Sequence, residues 1–80
     1  MDIDDILDAR SLNCPMPILQ TKKKLAAMHS GQILQVLTTD PDSVSDFNVF
    51  SQQTGHELLS QEKNDAGEFE FILRKRIRQA

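Results

Sequence analysis

A two-layer α/β sandwich, in which two helices cover one face of a four-stranded sheet, is the fold class this 80-residue sequence predicts. Three observations carry that expectation. Apolar residues recur at strand spacing in four short segments and at helix spacing in two. The segments run β-α-β-α-β-β, and a helix between neighbouring strands generally joins parallel partners through a right-handed crossover. Only a turn over residues 63–67 separates the last two strands, so they form a hairpin. Two helices cover one face of such a sheet and leave the other open to water or a partner.

Ile3, Ile6, Leu7 and Ala9, set among acids, predict the first strand, because the segment is too short for a helix before the polar stretch 10–13 begins. From Pro17 onward, Ile18, Thr21, Leu25 and Met28 fall three or four apart, while Gln20, Lys22, Lys23 and Lys24 fill much of the remaining circumference. That is an amphipathic helix. His29, Ser30 and Gly31 close it, glycine tolerating the left-handed conformation past a helix end and histidine suiting the negative pole of the dipole. Ile33, Leu34, Val36 and Leu37 make a dense strand suited to the inside of a sheet. A second helix starts with Asp40 as cap, Pro41 at the first helical position and Asp42 in the first turn. Its stripe runs through Val44, Phe47, Phe50 and Thr54 until Gly55 ends it. Residues 56–62 carry Leu58 and Leu59 among polar neighbours, a weaker strand. Residues 68–75 alternate strictly, with Phe69, Phe71 and Leu73 on one face, and residues 76–80 read as a frayed tail.

This length fits one domain, residues 1–80, with an ordered core over about 3–75 and no internal repeat or linker. A single cysteine cannot close an intramolecular disulfide, and the acidic N-terminus lacks the basic-then-apolar pattern of a secretory signal. No apolar run reaches the roughly 18 residues of a membrane span. A cytoplasmic location is therefore expected. A net charge of -3, with no Trp or Tyr, argues against direct nucleic-acid binding. One Cys and two widely separated His give no metal-ligand spacing, and neither a metal nor another cofactor is expected.

The segment Leu12-Asn13-Cys14-Pro15-Met16-Pro17 concentrates the chemistry. A proline disfavours helical geometry in the residue before it, so Cys14 and Met16 are expected to be extended and Pro17 to be the first helical residue. Cys14 then stands just before a helix N-terminus, where the amides of Met16, Ile18 and Leu19 and the dipole favour an anion. Such a position lowers a thiol from about 8.5 into the range of roughly 3.5 to 7.5. The two prolines hold the turn stiff, and Arg10, four residues earlier, is a further candidate to favour the thiolate. On these residues alone two readings stand: a nucleophile, or a small buried hydrophobe. Lys22 and Lys23 are candidates for docking an acidic partner, against the commoner role of a solvated helix face. Asp40 is a candidate electrostatic residue, against its role as a cap.

Cys14-Pro15-Met16-Pro17, preceded by Leu7-Asp8-Ala9-Arg10 and Leu12, resembles the CPxP signature of the TusA/SirA-like sulfur-carrier family. Gly31, Thr39-Asp40-Pro41 and Phe47 extend the resemblance over nearly the whole chain, and Ser11 departs from it where the family often has glycine. The resemblance implies a mixed sheet ordered 1-2-4-3 with the last strand antiparallel. It also implies a sulfurtransferase that accepts a persulfide sulfur on Cys14 and relays it toward tRNA thiolation, molybdenum-cofactor assembly or sulfur oxidation. A sulfur-donor protein such as a cysteine desulfurase, and a downstream acceptor protein, are the implied partners. The different-class alternative is a non-catalytic regulatory or interaction module with a structural cysteine.

Overall fold

In the computed structural model, which describes residues 2–13 and 15–77, the chain folds as β1 (Asp5–Ala9), α1 (Met16–Ala26), β2 (Ile33–Thr38), α2 (Ser43–Thr54), β3 (Glu57–Lys63) and β4 (Phe69–Arg74). The sheet is ordered β1-β2-β4-β3. β1 runs parallel to β2, while β4 is antiparallel to both β2 and β3, as the family resemblance implied. The strictly alternating strand thus lies inside the sheet.

Alternation sorts the side chains into two layers. Leu34, Val36 and Thr38 of β2 stand opposite Leu73, Phe71 and Phe69 of β4, and with Ala9 they form the surface onto which the helices pack. Leu25 from α1 and Phe47 and Phe50 from α2 fill that layer. Phe47 stacks on Phe71 with centroids 4.4 Å apart and meets Phe50 edge-on at 6.3 Å. Full burial of a phenylalanine contributes about 1.5–3 kcal/mol, so this aromatic trio is a principal reason that so short a chain holds together. The opposite face carries Ile6, Gln35, Leu37, Glu70, Ile72 and Arg74, a mixed surface with no covering element among the described residues.

Several boundaries differ from the sequence expectation. Helix α1 begins at Met16, one residue before Pro17, because the Met16 amide closes a turn onto the Asn13 carbonyl at 2.8 Å and Leu19 bonds back to Pro15 at 3.1 Å. These two bonds outweigh the bias against helical geometry before a proline. The same helix stops at Ala26, and Met28, expected on its stripe, reaches the core from the turn that follows. Helix α2 starts two residues later than expected: Asp42 occupies the capping position without a side-chain bond. Asp40 instead shapes the preceding turn, its Oδ1 accepting the Asp42 amide at 3.0 Å. Gly55 ends α2 as expected, in the left-handed region at φ 81°. Arg76, expected in a frayed tail, is docked through a backbone bond to His56 Nδ1 and a side-chain bond to the Thr54 carbonyl, each 3.0 Å.

Candidate functional site

The motif lies where β1 feeds α1, at the sheet end marked by Ala9 and Thr38, which pair across the parallel ladder. Cys14 itself lies outside the described residues, so the site is built from what flanks it. On the upstream side, the Leu12 amide bonds to the Ala9 carbonyl at 3.3 Å, turning the chain as it leaves the strand. Ser11 sits in that turn at φ 72°, the one positive value among the described non-glycine residues. An L-residue in this conformation costs about 1–2 kcal/mol that glycine avoids, which accords with the glycine the resemblance led one to expect here. The Ser11 amide donates to Thr39 Oγ1 at 2.9 Å and so ties the loop to the segment leaving β2.

On the downstream side, Pro15 occupies the capping position of α1, with no side-chain cap bond and no acid in the first turn. Pro17 is buried, whereas Pro15 and Met16 are exposed, Met16 at 40%. The motif therefore anchors the helix through one proline and presents its other two described residues to solvent. Two of the three amides expected to face an anion are otherwise engaged, Met16 by Asn13 and Leu19 by Pro15. The donor set for an anion is thinner than the sequence suggests.

Asp40 is buried at 7% exposure beside this end, and its carbonyl accepts both the Ser43 amide at 3.0 Å and the Ser43 hydroxyl at 2.6 Å. Because the single Ser43 proton goes to Asp40, Thr38 Oγ1 is the donor in its 2.8 Å contact with Ser43 Oγ. These bonds fix the β2–α2 turn from below.

Arg10 stands at the same sheet end and reaches the β3–β4 hairpin at Glu68. Its guanidinium makes 2.9 Å bonds to both oxygens of Asp8 and a 3.3 Å bond to Glu68. The Arg10 side chain and its backbone amide hold the Asp8 carboxyl well below the usual range, at about 2. Glu68 is lowered first by the Asn64 amide and then by Arg10. With two carboxylates as partners, the Arg10 charge is largely spent locally. Lys22 and Lys23, exposed on α1, stand about 9 and 10.5 Å along the helix axis from Met16 at 1.5 Å per residue, and so are not gathered at the motif. Lys24 pairs with Asp5 at 3.1 Å.

Residue-pattern reading missed Thr39 as the loop's tether, and Glu68 and Asn64 as partners of Arg10. The departure at Ser11 was the one available signal, since a usual glycine marks a backbone needing positive φ and hence some local support. Among the described residues no three His, Cys, Asp or Glu side chains group to hold a metal ion, and no helix is long and apolar enough to cross a membrane.

A family described as Sulfurtransferase TusA matches residues 5–75, which includes every strand and helix above. The chain belongs to the TusA family. It is 54% identical over 74 residues to the sulfur carrier protein TusA of Allochromatium vinosum, covering 92% of this chain and 96% of the relative. The sulfur carrier protein TusA of Pseudomonas putida is 41% identical over 73 residues, with coverage of 91% and 90%. The crystal structure of a SirA-like protein from Desulfitobacterium hafniense shares the fold, with a TM-score of 0.79 at 23% identity over 91% of this chain and 99% of that one. TusA family membership and the β1-β2-β4-β3 sheet agree with the resemblance drawn from the CPxP segment.

Proposed function

We propose that this protein is a sulfur carrier that receives a sulfane sulfur on Cys14 and hands it to an acceptor protein. The observation that carries the reading is the family match over residues 5–75 together with a motif turn whose flanking residues, Asn13, Pro15 and Met16, are exposed. The chemistry balances without an external oxidant or reductant. The Cys14 thiolate attacks the outer sulfur of a donor protein's persulfide, the donor's S–S bond breaks, and the donor leaves as a thiolate. Cys14 then holds the persulfide until an acceptor thiolate attacks its terminal sulfur and Cys14 departs as a thiolate. A dithiol exchange would require a second cysteine on the chain, which has one. The lone cysteine also means that no neighbouring thiol on the same chain can release the cargo prematurely. A turn stiffened by Pro15 and Pro17 suits delivery into a partner's active site, because little conformational entropy is lost on docking.

Donor and acceptor are therefore proteins, and a pyridoxal-dependent cysteine desulfurase is the donor class to test first. Incubation with such an enzyme and free cysteine is expected to add one sulfur atom to the peptide containing Cys14. Intact mass spectrometry before and after a reductant reads it. The gain is expected to disappear on reduction and to be absent in a folded Cys14→Ser variant. No adduct from any of several persulfide donors would overturn the proposal and leave the cysteine a structural residue of an interaction module.

A further inference from the structure

At the end of the sandwich away from the motif, α1 and α2 finish beside the start of β3 and the exit of β4, and a cleft of about 670 Å³ opens between them. Its lining includes Lys22, His29, His56, Lys75 and Arg76, and no aspartate or glutamate among the described residues. This is against the composition of the chain, which has twelve acidic residues to nine basic ones. We infer that this cleft is a binding site for a small phosphate-bearing anion, separate from the thiol.

The charges have a partial structural explanation, and the remainder points to a ligand. Lys75 Nζ donates to the carbonyls of Leu25 and Met28 at 2.6 and 2.7 Å, and Arg76 Nη1 donates to the Thr54 carbonyl at 3.0 Å. Both cations therefore answer the negative poles of the two helices. Those poles amount together to about one negative charge, against three full positive charges on Lys22, Lys75 and Arg76, so about two remain. Donors remain as well. Lys75 has a third N–H, the Arg76 guanidinium has four beyond the one on Thr54, and Lys22 is a further lining residue with an ammonium.

His56 adds a neutral donor. Its Nδ1 accepts the Arg76 amide at 3.0 Å, which leaves the proton on Nε2. Desolvation, then Arg76 and Lys75, holds this ring below the ordinary histidine range, so it stays uncharged at neutral pH. Several N–H donors carried by different segments, Lys22 on α1, His56 before β3, and Lys75 and Arg76 after β4, suit the three terminal oxygens of a phosphoryl group better than the two of a carboxylate. The volume falls within the roughly 300–1,000 Å³ usual for small-molecule sites. The overall charge of -3 disfavours a long polyanion.

The probe is inorganic pyrophosphate, titrated into the full chain while backbone amide NMR signals are followed at constant ionic strength. Saturable shifts confined to Met28, Thr54, His56, Lys75, Arg76 and their neighbours are expected, with the motif loop unmoved. The double variant Lys22→Gln/Arg76→Gln, both positions being exposed, is expected to keep the wild-type spectrum elsewhere and to bind about tenfold or more weakly. Shifts that never saturate, that sodium chloride reproduces, or that survive the double substitution at full affinity overturn the inference. So does binding of an acidic peptide or a single-stranded RNA in the absence of any pyrophosphate response. The assay reads no sulfur transfer, so its failure is distinct from failure of the carrier reading.

Discussion

The two ends of α1 are held by different means. At the motif end the helix has a proline as its cap, no capping side chain and no acid in its first turn. The adjoining loop is restrained from outside by Thr39 and by exposed ion pairs running from Asp8 through Arg10 to Glu68. At the other end the partly buried Lys75, just past β4, bonds directly to the Leu25 carbonyl in the last turn and to the Met28 carbonyl beyond it. Bonds sheltered from water are worth more than exposed ones, so the far end fixes the helix while the motif end stays open to a partner. A carrier must expose its reactive turn without unfolding around it, and this division of labour allows that.

The contrast breaks most readily at Lys75. Lys75→Met keeps most of the apolar stem but leaves the Leu25 and Met28 carbonyls without their side-chain donor. A loss of about 2–3 kcal/mol is expected, read as a lower urea midpoint and a fall in Tm of roughly 10–20 °C. Lys22→Met on the exposed side of the same helix is the control and is expected to change stability by about 0.5 kcal/mol or less. Equal effects from the two substitutions would remove the distinction between the ends.

At the motif end the expected changes are smaller and of both signs. Thr39→Val removes the acceptor of the Ser11 amide and is expected to cost about 1 kcal/mol. Ser11→Gly relieves an L-residue at φ 72° but loosens the unfolded chain, so a net gain of about 0.5 kcal/mol is expected in chemical denaturation. A loss on Ser11→Gly would show that the serine side chain itself supports the loop.

The same contrast marks how much was legible in the sequence. Six elements and their order followed from the spacing of Leu25, Phe47, Phe71 and their neighbours, because a core this thin forces apolar residues onto one face of each element. Boundaries were less legible, since they depend on single bonds. Nothing local reveals that the Met16 amide finds the Asn13 carbonyl, or that Asp40 shapes a turn and leaves the capping position to Asp42. At the site, the CPxP segment was visible because covalent stiffness is written in residue identity. The partners of Arg10 and Lys75 were not: Glu68 lies 58 positions from Arg10 and Leu25 lies 50 from Lys75, and only the register of the sheet brings them together.

The smallest expected effect tests whether the motif-end ion pairs are as dispensable as their exposure implies. Asp8 is held down to about 2, first by the Arg10 side chain and then by the Arg10 amide. A carboxylate depressed on folding contributes stability above its unfolded value of about 4, and that contribution is lost as pH falls through the folded value near 2. In Arg10→Gln the Asp8 carboxyl is expected to titrate well above 2, read from its side-chain carbon resonance, while the retained backbone amide keeps part of the depression. Because Asp8 and Arg10 are exposed, the Tm at neutral pH is expected to move little, and 1 M salt is expected to erase most of what remains. If instead Arg10→Gln broadened the amide signals of Leu12 and Asn13, the guanidinium would be holding the loop as well as its two carboxylates, and the motif end would depend on charge as the far end does.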